Sequence, residues 1–227
     1  MKIIVYSVNI GGYDMLWTPK NYDKNTRYIL FTDNKYFKSN VWEVNHIDFL
    51  NNQKIDDRHK ARYIKTNPHL VLPSHDVSIW VDNCFKFKFN NSENLLNQIH
   101  FKQHDIMLFK HDARNCIYDE AKVVKKNNLD IHSVVDEQIT KYSKEGFPRQ
   151  MGLFSTGFMV RKNNEKVNKF NEFWWGQIKQ HSGRDQLSQV YSSWVTKTKL
   201  TPIINNGDVY NNRFLEPKIK HLKSWTK

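Results

Sequence analysis

Apolar residues in the first third of the chain fall into short continuous runs that each end in polar residues, the pattern of strands buried on both faces. Residues 3–8 read as such a strand and are broken by the pair Gly11-Gly12. A second run, 28–32, ends in Asp33-Asn34; a third, 41–47, is β-branched and aromatic; a fourth, 77–81, ends in Asp82-Asn83. Between the last two, residues 56–72 place Ala61, Ile64 and Lys65 at helical spacing until Pro68 interrupts them.

Beyond Asp82 the periodicity alternates. It predicts a helix over 93–100, a strand over 106–109, and helices over 115–126 and 131–142, the last carrying Val134, Val135 and Ile139 on one face before Gly146-Phe147-Pro148 ends it. A strand over 156–160 follows, then a helix capped by Asn163 and running through Phe170, Phe173 and Trp174, and a further helix over 185–194. Strands alternating with helices predict an α/β domain, with a mainly parallel central sheet flanked by helices, as a single unit over 1–227. In such sheets a ligand sits outside the carboxyl ends of the strands, which draws attention to Asp33 and Asp82.

The 227 residues are 39% hydrophobic and 26% charged, a globular composition, and the formal net charge of +12 favours anionic partners. The basic residues are dispersed, as on a solvated surface, except for Lys218, Lys220, Lys223 and Lys227 around Trp225. That basic tail, 216–227, either is solvated or packs on a sheet edge, or rests on an anionic membrane surface. The cysteines, Cys84 and Cys116, have neither metal-type spacing nor a secreted framework, so a reducing, cytoplasmic setting is expected. The opening apolar run is short for a signal segment, and no stretch approaches the roughly 18 apolar residues of a spanning helix, so the chain is expected to be soluble or peripheral at a membrane's inner face.

Four stretches carry candidate chemistry, each with a plainer alternative. Around Ser7, the segment from Val5 to Asp14 runs a strand into a glycine pair that either lets backbone approach a nucleotide or simply makes a turn. The dinucleotide fingerprint G-x-G-x-x-G and the phosphate loop are both absent, which argues against Rossmann dehydrogenases and P-loop kinases. Asp82, followed by Asn83 and Cys84, either offers oxygen to Mg²⁺ or Mn²⁺ or caps a turn. Lys110, His111 and Arg114 suit phosphate oxygens, or else Asp112 is a helix cap and Glu120 a surface carboxylate. Asp185, after Ser182-Gly183-Arg184, is either a helix-start acid or, kept ionised by Arg184, a base for an acceptor hydroxyl.

In order, the blocks VYSVNIGGYD, YILFTDN, RYIKTNPHLVLPSHDVSIWVDN, KHDARNCIYDEA, GFPRQMGLFSTGFMVRKN and FWWGQIKQHSGRDQLSQVY span most of the chain. Together they resemble a glycosyltransferase-like family formerly described as a domain of unknown function, whose plant members include pectin- and mucilage-related proteins. The resemblance implies a GT-A-type domain, a nucleotide-diphosphate sugar donor, a glycan or lipid-linked glycan acceptor, and a divalent metal, Mn²⁺ or Mg²⁺. It implies that Asp33 faces the nucleoside, Lys65 the diphosphate, Asp82 the metal and ribose, and Asp185 the acceptor or reacting sugar. Ser7, Arg62, Asn83, Lys110, His111 and Arg114 complete the implied donor-binding set. The familiar Asp-x-Asp metal motif is broken here, since Cys84 stands at its third position; His111 or His181 would then complete the metal shell, or basic residues would neutralise the diphosphate instead.

Two other readings remain beside a sugar transferase: a noncatalytic descendant of the same fold that binds a glycan or nucleotide, and a basic module gripping nucleic acid by its phosphates. Nucleic acid is not the expected partner, because only the C-terminal Lys and Trp cluster approximates interleaved charge and stacking aromatics.

Overall fold

The structure is a computed structural model and describes residues 1–20, 22–50, 55–204 and 207–217. Its first half lays down β1 (Ile3–Asn9), β2 (Arg27–Thr32) and β3 (Glu43–His46), then helices α1 (Asp57–Thr66) and α2 (Pro68–Val71), and β4 (Val77–Val81). Next come β5 (Phe85–Phe87), α3 (Ser92–Gln98), β6 (Ile106–Lys110), α4 (Ile117–Lys126) and α5 (His132–Lys144). The last part holds β7 (Phe154–Lys162), α6 (Glu165–Gln180), α7 (Asp185–Thr196), β8 (Leu200–Pro202) and β9 (Leu215–Pro217).

Seven strands form the central sheet in the order β3-β2-β1-β4-β7-β6-β8. The pairs β1/β2, β2/β3, β1/β4 and β6/β8 are parallel, and β7 runs against both of its neighbours. The chain builds β1 to β3 toward one edge and then returns to place β4 on the other side of β1. The carboxyl ends of β1 and β4 therefore flank a topological switch point, where α/β sheets bind ligands.

Burial explains the continuous apolar runs. Ile4, Tyr6, Trp80, Ile106, Leu108 and Met159 pack on one face with Ile64, Phe170, Trp174 and Ile178 from α1 and α6. Their strand neighbours Val5, Ile79, Met107, Phe109, Phe158 and Val160 pack on the other face with Phe85, Phe87, Leu95 and Leu96. With both faces covered, the strands cannot alternate apolar with polar positions.

Several sequence expectations are corrected. The cap of α6 is Asn164, whose Oδ1 accepts from the Val167 amide at 2.9 Å, while the backbone of Asn163 is still held at the end of β7, its amide donating to the Asp76 carbonyl at 2.8 Å. Asn163 instead donates its side-chain amide to the His75 carbonyl at 3.1 Å. Pro68 breaks α1 but opens α2, since a missing N–H costs nothing in a first helical turn. The three-residue strands β5, β8 and β9 carry too little pattern to be read; β9 pairs antiparallel with β5, placing Glu216 opposite Lys86. Lys218, Lys220, Lys223, Trp225 and Lys227 lie outside the described residues. Among the described residues no helix is long and apolar enough to cross a membrane.

Gly157 on β7 accepts the Asp82 amide on its carbonyl at 2.8 Å, and a Cβ there would come within 2.7 Å of the Phe85 ring. Gly157→Ala should therefore force Phe85 aside and destabilise the protein by about 1–3 kcal/mol. A urea midpoint equal to that of the unmodified protein would contradict this packing.

Candidate functional site

The site begins with a helix stripe. Arg58, Ala61, Arg62 and Lys65 occupy positions i, i+3, i+4 and i+7 of α1 and so share one face. That face turns toward the carboxyl ends of β1 and β4 and lines a cavity of about 190 Å³ with Asn9, Asp14, Asp82 and, from the start of α7, Arg184 and Asp185. Asn9 holds the rim by accepting the Asp14 amide at 3.2 Å across the turn in which Gly11 and Gly12 adopt left-handed backbone, φ 65° and 62°. A Cβ on Gly11 would stand 3.0 Å from the Asp57 carboxylate, so this turn requires glycine.

At the cavity's base Lys65, whose side chain is 0% exposed, lies between two carboxylates: Nζ is 2.7 Å from Asp185 Oδ2 and 3.1 Å from Asp82 Oδ1. Trp80 supports the same arrangement, donating from Nε1 to Asp82 Oδ1 at 2.7 Å while its ring lies 5.3 Å beneath the ammonium. Arg62 Nη1 reaches Asp185 Oδ2 at 3.2 Å. Burial alone would raise the Asp185 pKa, but Arg62, Lys65 and Arg184 overcome it and hold this carboxyl well below the usual range. Its contacts suit it to positioning Lys65 and Arg62.

Behind the site the backbone of Lys65 is fixed as well. Its carbonyl accepts from Tyr6 Oη at 2.7 Å and from Arg161 Nη2 at 2.6 Å, and Arg161 Nη1 donates to Asn171 Oδ1 at 2.8 Å. Arg161 is wholly buried and, among the described residues, has no carboxylate partner; burial lowers its pKa. One turn before Arg62 on the same helix, Arg58 pairs with Asp130 at 3.2 Å, and Asp130 also accepts from Ser182 Oγ at 2.6 Å. Burial pushes the Arg58 pKa down to about 10, which leaves it a cation near neutrality.

Of the expected residues, the cavity brings together Arg62, Asp82, Asn83, Arg184 and Asp185, with Lys65 beneath them. Lys65, expected to face the diphosphate, bridges two carboxylates beneath the cavity. Ser7 is buried within β1 and does not line the cavity. Asp33 stands exposed at the end of β2, where Oδ2 accepts the Gly11 amide at 2.8 Å. Lys110, His111 and Arg114 do not line the cavity either. Arg114 Nε is 2.5 Å from Glu120 Oε2, and His111 Nδ1 accepts the Ala113 and Arg114 amides at 3.1 and 3.3 Å. Glu120, expected on the surface, is buried because the first turn of α4 faces inward toward Arg114. Arg58 escaped sequence reading, although its spacing from Arg62 and Lys65 was the available signal.

A divalent ion needs several oxygen or nitrogen ligands converging on one point. Asp82 Oδ1 already takes Lys65 Nζ and Trp80 Nε1. The Asn83 side-chain amide donates to the Met15 carbonyl at 3.1 Å, His111 is held by its own loop, and His181 packs edge-on to Tyr142 away from the cavity. Among the described residues no group of three His, Cys, Asp or Glu is arranged to hold a metal ion. The expected pair of Asp82 and His111 therefore does not fit a divalent site.

A family model described as TOD1/MUCI70, glycosyltransferase-like domain, matches residues 1–221. No curated protein matches the chain. Among solved structures, core-mannan synthase A (CmsA/Ktr4) from Aspergillus fumigatus, in its Mn/GDP form, aligns at TM-score 0.50 and 10% identity over 100% of this chain and 79% of that one. The mannosyltransferase Ktr4p from S. cerevisiae aligns at TM-score 0.48 and 12% identity, over 84% and 65% of the two chains. Its complex with GDP gives TM-score 0.47 and 12% identity, over 84% and 66%. The chain thus spans about two thirds of the yeast chain's length, and its likeness to the Aspergillus structure is one of fold, the GT-A type.

Asp185→Asn should leave Lys65 its pairing with Asp82 yet destabilise the protein by about 3–5 kcal/mol at neutral pH, because Arg62 loses its carboxylate. A depressed folded-state pKa contributes stability that is present above the ordinary aspartate value of about 3.9 and is lost as pH falls toward the folded value. The gap between variant and wild type in urea unfolding should therefore be constant near neutrality and narrow below about pH 4. A gap that widened on acidification would contradict the ion-pair assignment.

Proposed function

The chain belongs to the TOD1/MUCI70 glycosyltransferase-like family, and from that premise we propose that it transfers a sugar from a nucleotide-diphosphate donor to a hydroxyl of a glycan or lipid-linked glycan. The observation that carries this reading is the convergence of Arg58, Arg62, Arg184, Asp82 and Asp185 on one cavity at the sheet's switch point. The Mn/GDP form of the Aspergillus enzyme of similar fold supports a nucleoside diphosphate as the donor's leaving group.

In this reading the cavity orients the donor, and its cations stabilise negative charge as it accumulates on the departing diphosphate. Preorganisation comes from the ion pairs already in place: Lys65 and Arg62 are fixed by Asp185 and need little rearrangement when charge develops. Tyr13 and Tyr210 supply aromatic surface to the same cavity, suited to the flat face of a nucleobase. Asp82, the more exposed of the two carboxylates beside Lys65, is the one able to accept hydrogen bonds from donor hydroxyls.

Asp82→Ala should reduce release of nucleoside diphosphate from UDP- and GDP-sugars by about 100-fold or more while leaving the circular dichroism spectrum unchanged, because Asp185 still neutralises Lys65. Wild-type rates in that variant would refute the assigned site. Tight glycan binding without release of nucleoside diphosphate by the wild-type protein would favour a noncatalytic descendant instead.

A further inference from the structure

Every carboxylate close to the cavity's cations on the α1 and α7 side is already matched. Asp185 meets Lys65 and Arg62, Asp82 meets Lys65, and Asp130 meets Arg58. Arg184 is left over: it lines the cavity and, among the described residues, makes no ion pair, and its Nε is buried without a hydrogen-bond partner. Arg58, itself more than nine-tenths buried, also lines the cavity with an Nε that has no partner. Gly183 allows these two side chains to share one wall, since a Cβ at Gly183 would stand 3.0 Å from Arg58 Nε. Two buried guanidinium N–H groups left without acceptors are costly unless a ligand supplies them.

The ligand that fits is an anion with several oxygens. Guanidinium groups match phosphate in both charge and planar geometry, whereas Asp82 has Lys65 Nζ and Trp80 Nε1 on its Oδ1 and, among the described residues, belongs to no group of three His, Cys, Asp or Glu that could hold a metal ion. We propose that Arg184 and Arg58 hold the donor's diphosphate directly and that nucleoside diphosphate binding by this chain requires no divalent ion. The inference rests on the reading of the chain as a nucleotide-sugar enzyme and deepens it: the charge that a metal would neutralise is met by side chains already in the cavity.

The full chain is titrated with GDP, UDP and inorganic pyrophosphate by calorimetry, once with EDTA and once with Mn²⁺, alongside Arg184→Gln, Arg184→Lys and Arg58→Gln. A nucleoside diphosphate should bind with dissociation constants that agree within about twofold in the two buffers, and Arg184→Gln should weaken both it and pyrophosphate by about tenfold or more in each. Arg184→Lys should recover part of that loss, because it restores charge without the planar fork. Arg58→Gln should act in the same direction; since Arg58 also pairs with Asp130, the result from Arg184, which has no such partner, decides if that variant fails to fold. Binding that appears only with Mn²⁺, or wild-type affinity in Arg184→Gln, overturns the inference and leaves the donor reading standing. Failure of every nucleoside diphosphate to bind in either buffer overturns both.

Discussion

An ammonium group with no exposed surface is tolerable only where opposite charge meets it at close range, and in this protein Lys65 is met from two directions. Asp82 comes from the end of β4 and Asp185 from the first turn of α7, while the Lys65 carbonyl is held by Tyr6 of β1 and Arg161 of β7. One residue thus ties a helix, three strands of the central sheet and a second helix to a common point. The cavity takes its shape from that convergence, because the face of α1 that carries Lys65 also carries Arg62 and Arg58 against the cavity.

The buried polar centre is also unusually interlocked. Arg161 carries its charge among neutral oxygens, those of Tyr6, Asn171 and the Lys65 backbone. Two cations, Lys65 and Arg161, therefore belong to one hydrogen-bonded group with two carboxylates, Asp82 and Asp185. The members are not equivalent: loss of Asp185 leaves Arg62 without its carboxylate, whereas loss of Asp82 leaves Lys65 still paired with Asp185. This coupling ties Asp185, at its helix start, to the positions of both Lys65 and Arg62.

Much of the fold was legible in the sequence because its strands are buried on both faces and punctuated by polar residues. The reading of 77–81 coincides with β4, and those of 3–8 and 28–32 fall one residue short of β1 and β2. The ribbon of β5 and β9 was not legible, because three residues define no period and the pairing joins segments far apart in sequence. Among site residues, Asp82 and Asp185 were marked by their positions at a strand end and a helix start. Their mutual partner Lys65 was marked as a basic residue of the site but not as the ion between them, since sequence spacing says which helix face a side chain shares but not which carboxylates fold against it. His111, Arg114 and Glu120 illustrate the reverse case: polar residues close in sequence satisfied one another, and the cluster that looked like a phosphate site is a self-contained loop and helix start.

The antiparallel placement of β7 in the middle of the sheet has a consequence for the order of assembly. β1 to β4 can pair as soon as the first third of the chain is available, but the bond from Arg161 to Tyr6 closes a separation of 155 positions, and Asp185 lies further along still. During synthesis α1 forms before the elements that neutralise its buried face exist, since domains emerge from their amino-terminal end and distant contacts are the slowest to close. Until β7 inserts beside β4 and α7 docks, Lys65 has Asp82 alone for company and stays in contact with water. The order of these contacts makes burial of the ammonium a late event in folding, and the cavity takes its final shape only when β7 and α7 are in place.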